Sequence, residues 1–325
     1  MYDDSYVMLI KELHIENKND KIAFDSILFQ LYKDEDYIKQ HNTVFLNTLI
    51  TCFVGLNNQQ IESRIALYRT TTDNTSYFGN FEALSKESGI TILQHALKYC
   101  QQNFKQGTLI GPINGHTWNP YRLALNNSTY YFKNDLCNPL FYNDIMKHCG
   151  FSVTEQYETH LQTQFDTECQ SLNPEFKITY FNENELINRS QEIYEITMSA
   201  FKSSPFFISI PYEIFEHQLK KQTSQIDLNL SPFVTDTKHQ ICAFSSCYKS
   251  TNGKGLVVKT LARKSGRQYA GLGRNLSDHI VQKAQEFQFE TIIHAFMHQD
   301  NHSKSLSERF HGKTLKTYAL YQCQF

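Results

Sequence analysis

The stretch RQYAGLGRN, residues 267–275, decides how the rest of the chain is interpreted, because it places two glycines one residue apart. The chain of 325 residues holds only 13 glycines, so Gly271 and Gly273 need a physical reason. The β-like run GLVVKTLAR (255–263) precedes them, and the helix-like run GRNLSDHIVQKAQEFQ (273–288) follows. The first turn of such a helix has unpaired backbone N–H groups and a partial positive charge. The pattern therefore predicts a backbone site for an anion, best suited to phosphate.

Positive charge is concentrated around the two glycines. Arg263, Lys264, Arg267 and Arg274 fall within twelve residues of a chain whose formal net charge is −2. This local excess favours a polyphosphate ligand over a simple structural turn, and a glycine backbone lets that ligand come close. The residues expected to line the turn are Gln268, Ala270, Gly271 and Gly273.

The composition is that of a globular protein and gives no sign of a nucleic-acid-binding surface. Hydrophobic residues make up 40% of the chain, and 24 Phe and 19 Tyr argue against disorder. No long run of Lys or Arg occurs, so nucleic acid is not an expected partner. No run of 18 apolar residues occurs either, so no membrane association is expected. The start MYDDSYVMLI lacks the signal-peptide pattern, and we expect a cytoplasmic protein with eight reduced cysteines.

The two halves of the chain share one order of elements: a strand, a helix, a second strand and then an asparagine. The first half has these at 76–84, 85–104, 108–113 and Asn114, and the second at 255–263, 273–288, 291–298 and Asn301. Residues 164–176 lack periodicity and contain Pro174, which suggests a boundary. We predict an α/β fold with mixed sheets, in two tandem domains at 1–168 and 175–325, each a central sheet flanked by helices. Each half is also expected to end in its own last strand, and residues 1–40 to form one or two helices.

Two other phosphate-binding patterns do not fit. The dinucleotide pattern G-x-G-x-x-G needs a third glycine where Leu276 stands, so an NAD enzyme is disfavoured. The P-loop pattern is also absent, because Gly253-Lys254 is followed by Gly255.

The spacing Gln268-x-x-Gly271-x-Gly273 resembles the pyrophosphate loop of the GNAT (Gcn5-related N-acetyltransferase) superfamily, written Gln/Arg-x-x-Gly-x-Gly/Ala. The surrounding order of strand, helix, strand and Asn301 is similar too. A group of two-domain GNAT proteins has a first-half strand rich in Phe and Gly that ends in Glu, then a Gly-Pro-x-Asn segment. The counterparts here are YFGNFE (77–82) and GPIN (111–114), and the resemblance covers roughly residues 25–325.

This resemblance implies acyl-coenzyme A, most simply acetyl-CoA, as co-substrate and transfer of the acyl group to an amine. It implies that the pyrophosphate lies on loop N–H groups, that the pantetheine pairs with the strand before the loop, and that Asn301 contacts it. The residues implied to bind the co-substrate are Thr260, Leu261, Ala262, Arg267, Gln268, Tyr269, Ala270, Gly271, Leu272, Gly273, Arg274 and Asn301. The first half has SKESG (85–89) in place of such a loop. We expect it to have lost acyl-CoA binding and to shape the acceptor side or the interface.

The catalytic residues are less clearly indicated. The family's general acid is a Tyr whose position falls near Glu308, and the helix there has no Tyr. Tyr318 is the first candidate to replace it; the others are Tyr321, Ser305 and Ser307. His294 and His298 are candidate bases, expected to share one strand face, although structural histidines are the commoner meaning. The segment HQDNH (298–302) offers too few ligands for zinc, so no metal is expected.

The leading prediction is therefore an N-acyltransferase, as a monomer or homodimer, acting on a small-molecule or peptide amine in a cleft near the domain interface. The missing Tyr leaves an alternative: a degenerate GNAT fold that serves as an acyl-CoA sensor or a protein-interaction module.

Overall fold

The computed structural model describes residues 8–69, 74–128, 132–165 and 170–325. The chain folds into two compact units. The first consists of Met1–Asn127, Leu136–Gln156 and Tyr318–Phe325, and the second of Ser128–Asp135 and Tyr157–Thr317. The α/β class with mixed sheets flanked by helices is confirmed. The predicted division into domains at 1–168 and 175–325 stays a prediction. The two compact units are each assembled from more than one segment of the chain.

The first unit is built on a sheet in the order β1-β2-β3-β4-β5, with the end of the last strand of the chain beside β5. Its elements in chain order are β1 (Leu9–Leu13), α1 (Lys18–Leu31), α2 (Glu35–His41), β2 (Leu49–Asn57), β3 (Gln60–Arg69), β4 (Thr75–Ala83), α3 (Lys86–Asn103), β5 (Thr108–Gly111), β6 (Leu123–Ala124) and α4 (Tyr142–His148). Strands β1 to β4 pair antiparallel, whereas β4 and β5 are parallel and joined by α3. Phe78, Ile92 and Leu109, one from each member of this β4–α3–β5 crossover, are fully buried in its core.

The second unit repeats that arrangement. Its elements are β7 (Ser152–Gln162, which enters this unit at Tyr157), β8 (Lys177–Tyr180), α5 (Glu183–Asn188), α6 (Ser190–Phe201), α7 (Tyr212–Thr223), β9 (Pro232–Thr235), β10 (Ile241–Lys249), β11 (Gly255–Arg263), α8 (Leu272–Glu286), β12 (Thr291–His298), α9 (His302–Arg309) and β13 (Lys313–Gln324, which leaves this unit after Thr317). The sheet order is β7-β12-β11-β10-β9-β8. Strands β11 and β12 are parallel and joined by α8, whose buried Leu276, Ile280 and Ala284 recur at helical spacing.

The last strand of each half does not stay in its own half, which corrects the expectation from the sequence. Residues 157–162 of β7 pair antiparallel with β12 of the second unit. Residues 321–324 of β13 pair antiparallel with β5 of the first unit. Alternating apolar residues predict a strand, but they do not determine which sheet accepts it, because both edges offer the same backbone groups.

Three local expectations are wrong for identifiable reasons. Residues 9–13 form β1 and not a helix, because they pair with β2. The helical pattern of DSILFQLYKDEDYIKQH (25–41) predicts Asp25 as a cap, but Asp25 lies inside α1, because Asn17 accepts the first N–H groups and Asp25 pairs with the buried Arg64 at 3.1 Å. The amphipathic pattern of ENELINRSQEIYEITMSAF (183–201) predicts a single helix, but the helix breaks at Arg189 into α5 and α6; helix α7 was not predicted from the sequence.

The seven described cysteines are free thiols, and Cys169 lies outside the described residues. Among the helices of the described residues, none has both the length and the apolar character needed to cross a bilayer.

Candidate functional site

The glycine-rich turn lies between β11 and α8, as the sequence predicts. Strand β11 ends at Arg263, a short 3-10 turn covers Arg267–Tyr269, and α8 begins at Leu272. Gly271 is the N-cap residue, with a left-handed φ of 89°. A residue with a Cβ is strained in that conformation, so the turn itself requires glycine there.

The N-terminus of α8 presents free backbone donors. No side chain caps this helix. Within the described ranges, the N–H groups of Gln268, Gly271, Leu272 and Gly273 have no hydrogen-bond acceptor. Helix α3 of the first unit differs, because Ser85 accepts from the Ser88 N–H in a capping box. The anion-binding geometry is therefore a property of the second unit's helix.

Close packing against the described residues does not explain why position 273 is a glycine. A Cβ built at this position would meet only Leu261 Cδ2, at 3.7 Å, which is an ordinary contact. Glycines elsewhere are packed closely, for example Gly79, whose Cβ would lie 2.3 Å from the Ile113 carbonyl oxygen. Apart from this Leu261 contact, no described atom beyond its chain neighbours and its own helix backbone lies within 4 Å of that Cβ position, so the backbone of Gly273 can be approached by another group.

Strands β11 and β12 separate in front of this turn. Their parallel pairing ends at Val258 and His294, although both strands continue. A bulge contributes to the separation, because the β10–β11 register passes from Cys247–Val258 to Ser246–Thr260 and leaves Lys259 as the extra residue. The edge of β11 at Thr260, Leu261 and Ala262 is thus not paired with β12. From the β10 side, Ser245 Oγ donates to the Thr260 carbonyl at 2.9 Å.

Basic side chains belong to the turn and the start of α8, and Asn301 follows β12 in the same unit. Arg267 is exposed, whereas Arg274 Nε lies 3.8 Å from an Asp278 carboxylate oxygen. Tyr269 packs with the cluster that contains Leu272, and Ala270 is exposed beside Gly271. Asn301 is the exposed N-cap of α9, and its Oδ1 accepts the Ser303 N–H at 3.2 Å. The predicted co-substrate residues therefore flank one turn and one gap between strands.

His294 lies in the paired part of β12 and has a structural partner. Its Nε2 is 3.0 Å from Gln162 Oε1, and Gln162 Nε2 donates to the Gln164 carbonyl. That arrangement makes Gln162 Oε1 the acceptor and places the proton of His294 on Nε2. Burial, with the neighbouring His160, lowers the pKa of His294 to about 4. The group is neutral near pH 7 and a weak base.

The expectation that His294 and His298 share a strand face is wrong. Phe296 has a φ of 58° and forms a bulge, so His294 pairs with His160 while His298 pairs with Tyr157. The extra residue moves His298 to the other face of the strand. His298 stacks edge-on against Tyr157 and is partly exposed at the end of β12, and its Nδ1 accepts the Asp300 N–H at 3.2 Å.

Of the four candidate general acids, three are buried and one is exposed. Tyr318 is fully buried in the first unit, where it pairs with Ala124. Tyr321 is also buried there, and its hydroxyl donates to Asn143 Oδ1 at 3.0 Å. Ser307 is buried, while Ser305 is exposed on α9.

A buried polar network in the second unit was not predicted from the sequence. His160 Nε2 is 2.8 Å from Glu158 Oε2, and its Nδ1 is 3.1 Å from Ser307 Oγ. Burial opposes ionisation of Glu158, but hydrogen bonds from Lys304, His160 and Thr314 hold its pKa at about 2. The network joins β7, α9 and β13, with His160 and Ser307 buried and Glu158, Lys304 and Thr314 towards the surface. Only the alternation of Glu158 and His160 on one strand face could have suggested it.

No group of three or more His, Cys, Asp or Glu side chains within the described residues could hold a metal ion.

No protein-family model matches the chain. One curated relative, the Rho-GTPase-activating protein RGD2 of Saccharomyces cerevisiae, is 32% identical over 117 residues, which are 34% of this chain and 16% of the yeast protein. The chain thus spans less than a fifth of that relative, and the match shows no family.

Solved structures give a clearer comparison. A GCN5-related N-acetyltransferase from Sphaerobacter thermophilus superposes with a TM-score of 0.58 at 8% identity, over 98% of this chain and 95% of that one. A tandem GNAT protein from the clavulanic acid biosynthesis pathway gives 0.59 at 7% identity over 98% of both chains. A GCN5-related N-acetyltransferase from Anabaena variabilis gives 0.56 at 9% identity, over 97% of this chain and 72% of that one. Together with the two crossover units, these superpositions show that the fold of the chain is similar to that of these GNAT structures, one of which is a tandem GNAT protein.

Proposed function

We propose that the second unit binds acyl-CoA, most simply acetyl-CoA, and transfers the acyl group to an amine. The observation that carries this proposal is the set of free N–H groups at Gly271 to Gly273, beside the separated edge of β11. The free N–H groups would bind an anion, and the unpaired edge of β11 would bind an extended chain attached to that anion.

The residues present fit such a co-substrate. The N–H groups of Gly271, Leu272 and Gly273 would hold the pyrophosphate, with Arg267 adding charge. The edge at Leu261 and Ala262 would pair with the amide groups of the arm, and Asn301 Nδ2 would donate to them. When bound, the thioester would supply an activated acyl carbon: the amine nitrogen forms the new C–N bond, the C–S bond breaks, and coenzyme A leaves as a thiolate that a proton equivalent to the one removed from the amine neutralises.

Proton removal is assigned to His298 in this proposal. It lies at the end of β12 beside Asn301, where the two strands have separated. His294 is less suited, because its pKa is about 4 and its Nε2 is already engaged. If His298 accepts the proton, His298→Ala lowers kcat/KM by about a hundredfold or more, with unchanged affinity for acetyl-CoA.

The test is thiol release from acetyl-CoA with a panel of primary amines. Turnover on at least one amine supports the enzyme. Glu308 in place of the usual Tyr, and the burial of Tyr318, favour a second candidate: an acyl-CoA sensor without catalysis. Binding of acetyl-CoA with no thiol release on any amine would support that candidate, and absence of binding would refute both.

A further inference from the structure

The first unit contains a cleft where β4 and β5 separate. Their pairing ends at Tyr77 and Ile110, while β4 continues to Ala83. The space inside the cleft measures about 30 Å³, and the cleft is partly open to solvent. Its main polar lining residues are Asn80, Glu82, Asn114 and Arg122, and all of its lining residues belong to the first unit.

Glu82 places a carboxylate oxygen in this cleft without a donor. The residue is 4% exposed on β4. Tyr32 and Tyr142 donate their hydroxyl protons to Oε2, at 2.8 Å and 2.9 Å. Within the described part of the chain, no group donates to Oε1. Burial raises the pKa of Glu82 above its ordinary value, against the opposing charge of Arg64 and the two tyrosine hydrogen bonds.

Asn114 contributes a hydrogen-bond donor, its side-chain amide, to the same cleft. It follows β5, is 4% exposed, and its Oδ1 accepts the Asn80 N–H at 2.7 Å. That bond fixes the amide orientation and turns Nδ2 to the other side. Among the described residues, no acceptor is paired with Asn114 Nδ2. One acceptor atom and one donor atom, neither paired within the described residues, thus line the same cleft, where a ligand can reach both.

The other residues that line the cleft are aromatic or uncharged, apart from Arg122. Tyr37, Phe81 and Tyr121 provide aromatic walls, and the Arg122 guanidinium lies 3.8 Å from the centre of the Tyr121 ring. Burial, together with Arg64, lowers the pKa of the lining His41 to about 3, so it is uncharged near pH 7. The cleft therefore carries one acidic and one basic side chain on an otherwise neutral lining.

We propose that this cleft binds a small amino acid. The ammonium group donates to Glu82 Oε1, and the carboxylate accepts from Asn114 Nδ2 and from the Arg122 guanidinium. A plain amine would leave Asn114 unmatched, and a plain carboxylate would face Glu82 with like charge. The proposal does not depend on acyl-CoA, because it uses no residue of the second unit.

The first experiment is isothermal titration of the wild-type chain at pH 7 with three amino acids of increasing length: glycine, β-alanine and 4-aminobutanoate. Propylammonium and propanoate, which each carry one charged group, are the half-molecule controls. At least one amino acid should bind saturably and at least tenfold more tightly than either half-molecule. Failure of all three to bind, or equal affinity of a half-molecule, would show that the cleft holds only water.

Two isosteric variants test the assigned atoms. Glu82→Gln keeps an oxygen for Tyr32 and Tyr142, and Asn114→Asp keeps an oxygen for the Asn80 N–H. Each should weaken amino-acid binding at least tenfold, while Glu87→Gln, an exposed change on α3, should leave it unchanged. Unaltered binding in both variants would overturn the assignment. Acetyl-CoA affinity is measured on the same samples and should not change, so failure of this site and failure of the proposed function are separate results.

Discussion

Replacing Gly273 by alanine should stabilise the fold and weaken acyl-CoA binding. Gly273 lies in the first turn of α8, where glycine is less stable than alanine. The added Cβ would meet only Leu261 Cδ2 at 3.7 Å, so no clash offsets the gain. We expect the free energy of unfolding to rise by about 0.5 kcal/mol, near the lower end for glycine-to-alanine changes. Because the new methyl group occupies the space above the backbone, acetyl-CoA affinity should fall at least severalfold.

Gly271→Ala is the matched comparison. Its φ of 89° remains strained for alanine although the nearest atom to a Cβ, Asn275 Oδ1, is 4.0 Å away. We expect a loss of about 1 kcal/mol. Urea unfolding followed by circular dichroism measures both variants, and calorimetric titration measures binding. If Gly273→Ala were destabilising, or bound acetyl-CoA as well as the wild type, the claim that this glycine keeps space for a ligand would be refuted.

Two further predictions concern the second unit. Lys316 and Asp135 form a buried ion pair at 2.9 Å, with side chains 3% and 2% exposed; Asp135→Ala leaves the lysine charge buried and should cost about 3–5 kcal/mol in urea unfolding. A loss below 1 kcal/mol would contradict this. The pKa of His294 is lowered to about 4, so its stabilising effect is complete above pH 6.5 and is lost as pH falls towards 4. His294→Gln, which can still donate to Gln162, should flatten this part of the pH–stability curve, and an unchanged slope would argue against a neutral buried His294.

The crossover units were predictable because their signals are local. The run 255–263 is short, contains β-branched Val257, Val258 and Thr260, and precedes a glycine-containing turn, which together predict a strand, and its bounds match those of β11. Gly271 and the polar start of α8 indicate a turn with free donors, and both features are present. The helix bounds were less accurate at the N-terminus, where Asn17 and not Asp25 caps α1.

Other features depend on contacts that no local pattern encodes. The bulge at Phe296 separates His294 from His298, although the two are four residues apart in the strand. The exchange of last strands leaves Tyr318 fully buried in the first unit. Likewise, Glu82 and Asn114 are 32 positions apart in the sequence, and they line one cleft only because β4 and β5 separate between them.

Calorimetric titration of acetyl-CoA is the most direct test of the central claim. The wild type should bind one equivalent, and Gly273→Trp should abolish binding without unfolding the chain, because the indole extends into the open space above the loop. Gln285→Trp, an exposed change on the last turns of the same helix, is the control and should bind like the wild type. If the wild type does not bind acetyl-CoA, or if Gly273→Trp binds it unchanged, the assignment of this turn as the co-substrate site is wrong.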